Sequence, residues 1–226
     1  MTTIKAETTL ADLAVRRAGA SRVFYKYGLD FCCHGDVGLK ETCERRGIDF
    51  DKLVKEIEEQ EQAVAGTFDR WDERSLDALI AHILGSFHEV HRAELPRLTM
   101  LAQKVEKTHS ANPGCPTGLS DCLEQMNAEL ERHMQKEERI LFPMIHAGRG
   151  GLAIMPIHVM EQEHEQAGEN LERIRKLTRD FRLPEDACPT WRALYIGLAD
   201  FEEQLMQHIH LENNVLFPRA LGQGAD

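Results

Sequence analysis

The sequence predicts an all-α protein, an antiparallel four-helix bundle preceded by a small helical N-terminal domain. Long segments of the back part carry apolar residues at steps of three and four, which is the helical period. Short connections rich in proline and glycine separate these segments, as in a bundle of neighbouring antiparallel helices. Alternating strand patterns are almost absent. The 226 residues suit one ordinary domain with a small addition.

The composition excludes several classes of protein. There are 27 basic and 38 acidic residues, a formal charge of −11, which argues against binding to nucleic acid or to an anionic membrane. No run of 18 apolar residues predicts a transmembrane helix. The first residues, MTTIKAETTL, lack the apolar region of a secretory signal. Six cysteines without such a signal indicate reduced thiols, so we expect a cytoplasmic protein.

Two short helices open the chain. Thr8 and Thr9 are good N-caps for a first helix that ends near Gly19. Ser21 is the predicted cap of a second, which ends where Gly28 supplies a left-handed conformation.

Two further short helices are predicted at 37–46 and 51–61. The following segment, QAVAGTFDRW, contains Gly66 and has no apolar stripe, so it predicts a linker. We therefore expect a small helical domain at residues 1–65 and a four-helix bundle at residues 72–226. The linker should let the bundle fold alone.

Four long helices are predicted for the bundle. Apolar side chains recur along each at helical spacing, and loops such as SANPGCPTG and GRGG end them. Pro96 lies inside the first and should bend it. The predicted ranges are 76–107, 119–147, 156–181 and 191–221.

The two halves of the bundle repeat each other. HMQKEERILFP begins at His133 and HIHLENNVLFP at His208, an offset of 75. Upstream, His88 and His164 are offset by 76. A duplicated helix pair explains this arithmetic, with one His on the first helix of each pair and His-x-x-x-Glu on the second.

Polar residues of this repeat fall on the stripes that should face the core. An unpaired buried glutamate costs several kcal/mol, so two of them, each one turn after a histidine, indicate a bound cation. The alternative is a buried polar network without metal. The residues on these stripes are His133, Glu137, His164, His208 and Glu212.

The first helix offers two histidines. By periodicity His91 lies nearer the middle of the stripe, whereas the repeat offset favours His88. We take His88 as the ligand and expect His91 either beside the site or at the surface.

The donor set indicates the metal. Four imidazoles and two carboxylates are too many for one tetrahedral zinc ion, and they suit two first-row ions in a helical bundle. If both glutamates bridge two irons together with an oxo or hydroxo group, each iron keeps one open position. Such a centre can bind O₂, nitric oxide or peroxide, and can lose metal more readily than a closed site.

The loop LDFCCHGD contains the adjacent residues Cys32 and Cys33. They could act in redox chemistry or metal transfer, or could simply be packed at a turn. The pair lacks the C-x-x-C spacing of zinc and thioredoxin sites.

The motifs HMQKEERILFPMI, MEQEHEQAGENLE, HIHLENNVLFPRAL and FYKYGLDFCCHGD together resemble the Repair of Iron Centres family, which is hemerythrin-like and binds two irons. The resemblance covers nearly the whole chain. It implies the same six ligands, and it places the family's cysteine pair at Cys32 and Cys33. The ligands are His88, His133, Glu137, His164, His208 and Glu212.

The resemblance implies repair of iron–sulfur clusters damaged by nitric oxide or oxidants, with iron donation as the mechanism and damaged iron–sulfur proteins as partners. Two alternatives stay open. One is a protein that binds nitric oxide or reduces it enzymatically. The other is an oxygen carrier. It is less favoured because hemerythrins resemble one another in carrying five histidines, whereas this set has four. Sequence alone does not separate a monomer from a homodimer.

Overall fold

The structure, a computed structural model, describes residues 4–64 and 69–222. No strand occurs among these residues, whose only extended pairing is one isolated bridge between Thr9 and Gly38. The predicted all-α class is therefore confirmed. Two compact units are present. One contains the described residues of Met1–Leu79 and Met206–Asp226, and the other is Ile80–Leu205.

Four short helices make up the front part of the chain. Thr9 caps the first by accepting a hydrogen bond from the Asp12 N–H at 3.1 Å. The prediction that Ser21 caps the second was wrong, because Gly19 precedes that helix with φ 76°. The predicted linker at Gly66 lies outside the described residues. The helices are α1 (Leu10–Arg16), α2 (Ala20–Lys26), α3 (Leu39–Arg46) and α4 (Phe50–Ala63).

A small apolar core joins these four helices. Phe24, Phe31 and Leu53 are fully buried in it. Met206, from much later in the chain, packs against the same core and belongs to the same unit.

The four predicted long helices are present, in segments. Their bounds are α5 (Leu76–Ile83), α6 (Glu89–Thr108), α7 (Leu119–Lys136), α8 (Phe142–His146), α9 (Ile154–Thr178), α10 (Pro189–Leu211) and α11 (Phe217–Ala220). The third ends at Thr178 rather than near 181, because Arg179, Asp180 and Phe181 all adopt positive φ angles of 53–57°.

Three π-helical turns interrupt the helices within residues 69–222. They are Leu84–His88, Glu137–Leu141 and Glu212–Leu216. In each turn a backbone N–H reaches the carbonyl five residues earlier, as from Phe142 to Glu137 and from Phe217 to Glu212. Such turns often mark functional sites in helices.

A Phe-Pro pair follows two of these turns. Proline has no backbone N–H, so Pro143 cannot donate to the carbonyl of Arg139 as a regular α-helix requires. Pro218 stands in the same relation to Asn214. The repeated Phe-Pro motif therefore favours the wider turn that precedes it.

In the unit Ile80–Leu205, α6 packs on α7 and α7 packs on α9. The start of α10 approaches α6 closely, since a Cβ added at Gly197 would lie 2.8 Å from side-chain atoms of Arg97 and Leu98. Trp191 is completely buried near the start of α10. Among the described helices, none combines the length and hydropathy needed to cross a bilayer.

Candidate metal centre

Four of the predicted ligands lie together in the unit Ile80–Leu205. His88 ends the first π turn, His133 lies in the last turn of α7, Glu137 begins the second π turn, and His164 lies within α9. Their exposed fractions are 0%, 3%, 0% and 2% respectively. Three helical segments thus bring four polar side chains into the interior.

One carboxylate oxygen faces two imidazoles. Oε2 of Glu137 lies 3.3 Å from Nε2 of His88 and 3.4 Å from Nε2 of His133. The Nε2 atoms of His133 and His164 are 3.2 Å apart. Ligand atoms of His133, Glu137 and His164 all lie within 4.8 Å of one another, so these residues could hold a metal ion.

The state of Glu137 tests whether this site suits a cation. Both of its carboxylate oxygens are buried, and neither has a hydrogen-bond partner. Burial of an unsatisfied carboxylate is costly, and a metal ion satisfies both oxygens. The residues present therefore fit a bound cation.

Outer carboxylates orient two of the histidines. Nδ1 of His88 lies 2.8 Å from Oε1 of Glu138, which also accepts a hydrogen bond from Arg92 at 2.8 Å. Burial raises the pKa of the Glu138 carboxyl, but the hydrogen bonds from Arg92 and His88 outweigh it and leave the pKa lowered. A proton held on Nδ1 leaves the Nε2 lone pair directed inward.

His133 has an equivalent partner in Glu163. Its Nδ1 lies 3.1 Å from Oε2 of Glu163, and Lys136 also donates to that carboxylate. The hydrogen bond from His133 lowers the pKa of Glu163 to about 2, with a further contribution from Lys136. Two imidazoles are thus fixed in the tautomer that a metal requires.

The remaining two predicted ligands lie in the other unit. His208 is in α10, Glu212 begins the third π turn, and both are completely buried. Nε2 of His208 is 3.1 Å from Oε1 of Glu212. This pair reproduces the His133–Glu137 arrangement at the equivalent repeat position.

His91 is not a surface residue. It is 0% exposed, and its ring lies 6.2 Å from Phe87 and 5.3 Å from Phe201, measured between ring centroids. The alternative that placed it at the surface was therefore wrong.

The cysteine pair is held by Asp30. Oδ1 of Asp30 accepts the backbone N–H groups of Cys32 and Cys33 at 3.1 and 3.0 Å, and the Cys32 thiol at 3.3 Å. The hydrogen bond with Cys33, followed by burial, raises the pKa of Cys32. The side chains of Asp30, Cys32 and Cys33 form a further group that could hold a metal ion.

Sequence reasoning missed three carboxylates of these sites. Glu138 and Glu163 adjoin the predicted ligands Glu137 and His164 in sequence but lie off the inward stripe, so periodicity does not single them out. Asp30 offered a weak signal, because an aspartate two residues before a turn residue often accepts its backbone N–H.

Two known families match different parts of the chain. A profile of the hemerythrin HHE cation binding domain matches residues 79–220. The ScdA_N profile, described as a domain of unknown function, matches residues 6–61.

Similar proteins cover almost the whole chain. The iron–sulfur cluster repair protein YtfE of Dickeya chrysanthemi is 46% identical over 215 residues, which is 95% of this chain and 97% of the relative. A probable iron–sulfur cluster repair protein of Haemophilus influenzae is 44% identical over 219 residues, 96% of this chain and 98% of the relative. YtfE of Edwardsiella ictaluri is 46% identical over 213 residues, with coverages of 94% and 96%. These matches confirm the predicted resemblance, and the chain belongs to the hemerythrin-like family of YtfE iron–sulfur cluster repair proteins.

Proposed function

We propose that this chain is a di-iron protein that repairs iron–sulfur clusters damaged by nitric oxide or oxidative stress, by donating iron. The observation that carries the proposal is the buried carboxylate of Glu137, which has no hydrogen-bond partner and faces two imidazole nitrogens. The names of the relatives add the link to cluster repair.

The proposed centre uses all six predicted ligands. Glu137 faces histidines from two different helical segments, a position suited to a bridge between two ions. Glu212 has the equivalent place in the sequence repeat, which supports a second bridge. An oxo or hydroxo group would complete the connection. The ligands are His88, His133, Glu137, His164, His208 and Glu212.

Iron donation is supported by the donor count. Six protein ligands shared between two ions leave coordination positions unfilled by protein, and such sites release metal more readily than closed ones. Two irons would supply redox chemistry and a transferable ion. Glu138 and Glu163 hold the imidazole protons outward, so the inward nitrogens of His88 and His133 stay available to metal.

We further propose a redox or iron-transfer role for Cys32 and Cys33. Asp30 holds the two residues in one turn, and their Sγ atoms are 3.9 Å apart. Cys33 is half-buried, so it remains accessible to a partner. The partners proposed are damaged iron–sulfur proteins.

A second candidate function is the binding or reduction of nitric oxide. The same incomplete set of protein ligands favours it, because a small diatomic molecule could occupy the remaining positions. Oxygen carriage is the weaker alternative, since four histidines are available rather than five. We propose the cytoplasm as the site of action, because all six cysteines lie within the described residues and are free thiols.

An anaerobic comparison tests the proposal. Purified full-length protein is assayed side by side for reactivation of an enzyme with a damaged cluster and for nitrous oxide formation. We expect about two irons per chain and reactivation that consumes protein-bound iron. Nitrous oxide formation without reactivation would favour the second candidate.

Metal identity provides the control. Protein isolated from iron-replete cells with one tightly bound zinc ion would contradict the di-iron assignment.

Replacing both Cys32 and Cys33 with serine should leave iron content unchanged and lower repair activity. Unchanged repair by this variant would return the pair to a purely structural role.

A further inference from the structure

The structure contains a histidine–thiol pair formed by residues other than the predicted metal ligands and the Cys32–Cys33 pair. Nε2 of His109 is 3.1 Å from Sγ of Cys188, within hydrogen-bond distance. Both residues belong to the unit Ile80–Leu205 and both are half-buried, so solvent reaches them. Neither has a role in the proposed repair function.

Two helix ends meet at this pair. Cys188 directly precedes α10, and the backbone N–H groups of Trp191 and Thr190 donate hydrogen bonds to its sulfur. Pro189 has no N–H, so these are the first two donors that the 23-residue helix offers. His109 is the C-cap of α6, where the helix favours positive charge. The fold therefore lowers the pKa of the Cys188 thiol and favours its thiolate.

Neighbouring contacts hold the two side chains in place. The His109 ring lies 5.0 Å from the ring of Trp191, which is completely buried. Asn112 donates to both carboxylate oxygens of Asp186 at 3.1 and 2.9 Å, which ties the two loops together. Arg192 donates to the carbonyl of Ala187 at 3.2 Å. These contacts hold the sulfur of Cys188 close to the imidazole of His109.

The direction of its pKa shift distinguishes Cys188 from Cys43, Cys115 and Cys122. The hydrogen bond from the Trp191 N–H is the largest influence on its thiol and, with His109, lowers the pKa despite some burial. Burial instead raises the pKa values of Cys43, Cys115 and Cys122. Thiol reactivity follows the thiolate fraction.

We propose that Cys188 is a nucleophilic modification site that exchanges with low-molecular-weight disulfides, with His109 stabilising its thiolate. The thiolate attacks one sulfur of the small disulfide, and a new sulfur–sulfur bond forms to Cys188. The original sulfur–sulfur bond breaks, and the other half leaves as a thiolate, which takes up a proton from water. A second small thiol reverses the step, so no further oxidant or reductant is needed.

The experiment uses the full, reduced chain and oxidised glutathione as the probe. The extent of mixed disulfide at each cysteine is followed over time by peptide mass spectrometry. We expect Cys188 to react severalfold faster than Cys115 near pH 7, because the pKa of Cys188 is lowered whereas that of Cys115 is raised. Cys115 is the internal control, because it is also half-buried but has a raised pKa.

Variants assign the effect to the pair. His109→Gln should slow modification of Cys188 severalfold and leave the rate at Cys115 unchanged, whereas His158→Gln, at an exposed histidine elsewhere, should change neither. The pH profile of alkylation by iodoacetamide on the unaltered chain gives a second measurement that does not depend on the variant folding. Its midpoint should be lower for Cys188 than for Cys115. Equal rates and equal midpoints at the two cysteines, or an unchanged Cys188 rate in a folded His109→Gln protein, would overturn the proposal.

Discussion

Glu137 occupies a position where an apolar helix interior would ordinarily hold leucine. Its side chain is 0% exposed, and its stripe neighbours Leu130 and Leu141 are also buried. A carboxylate at such a position lowers stability unless a cation or a full set of hydrogen bonds compensates it. Function, rather than packing, explains why the residue is there.

Replacing Glu137 and Glu212 together with leucine should therefore have two opposite effects. Iron content should fall to background, because both proposed bridges are lost. The metal-free protein should be as stable as the unaltered one or more stable, by up to about 4 kcal/mol, because leucine needs no desolvation. Iron analysis and thermal unfolding of the metal-free forms measure the two effects.

The same replacement at Glu161, an exposed residue of α9, is the matched control and should change neither quantity. Two irons retained by the double variant would show that these glutamates are not ligands. A metal-free double variant that unfolds much more easily would assign them to a structural hydrogen-bond network.

The outer carboxylates support a second prediction. Glu138→Gln keeps the size of the side chain but removes the charge that accepts from His88 and Arg92. Iron affinity should fall about 10–100-fold, the usual cost of losing such a partner. Competition with a chelator measures the affinity, and Glu161→Gln is the control. An unchanged affinity would show that Glu138 does not orient His88.

At the level of single residues, the repeat and the apolar stripe together were enough to predict that the six proposed ligands are buried. The stripe could not predict their partners. Glu138 and Glu163 retain exposed fractions of 29% and 32%, so their environment resembles that of ordinary surface glutamates. Only the fold shows that each one faces an imidazole.

The π turns link helix geometry to the site. Glu137 and Glu212 each begin such a turn, and His88 ends one. A π turn accommodates one residue more than a regular α-helical turn, so the helix faces before and after it are offset by about 100°. The turn allows both His133 and the later Ile145 to face the interior.

Deleting Ile140 should convert the second π turn to regular helix. This residue is 51% exposed, so its side chain contributes little packing. The deletion removes the extra residue of the turn, so His133 and Ile145 should still share the inward face, and we expect iron content and unfolding temperature close to those of the unaltered chain. One alanine inserted after Ile140 should instead rotate Ile145 by about 100° relative to His133, with loss of iron and a lower unfolding temperature. Full iron content in the insertion variant would show that the facing of these two helical segments does not aim the ligands.

The long helices themselves were predictable, because apolar residues at steps of three and four extend over many turns. The π turns were not predictable from the sequence. An apolar stripe whose steps already vary between three and four residues shows no obvious break when one extra residue is inserted. The consequence is visible at Met144, which regular helical spacing from the buried Leu141 would place in the core. Met144 is in fact half-buried, and Ile145 is buried instead. The Phe-Pro motifs were the available signal.

At the level of the whole molecule, the front helices and the residues after Met206 form one unit. Asn213 and Asn214 donate to the carbonyl of Cys32 at 3.1 and 3.3 Å. The rings of Phe31 and His210 lie 5.4 Å apart. The loop that carries the cysteine pair is thus attached to the segment that carries Glu212.

Removal of residues 1–71 tests how far the bundle is independent. The fragment should keep its helix content and iron, because all six proposed ligands remain. It should unfold at a temperature lower by about 4–8 °C, since losing the packing of Met206 costs of order 2 kcal/mol. Circular dichroism and iron analysis provide the measurements.

Asn214→Ala in the full chain removes the hydrogen bonds from this side chain to the loop and its contact with His210, and should produce a smaller decrease. Loss of iron from the fragment would show that the front domain completes the site.

The position of the π turns also bears on ancestry. Those at Glu137 and Glu212 begin at the same place in the two copies of the repeat, and each is followed by Phe-Pro. A single insertion in an ancestral helix pair, inherited by both copies, explains this more simply than two separate insertions. The turn at Leu84–His88 has no counterpart in α9, which is regular from Ile154 to Thr178. After the duplication, therefore, either this turn was gained or its counterpart in α9 was lost, and the two halves of the bundle diverged.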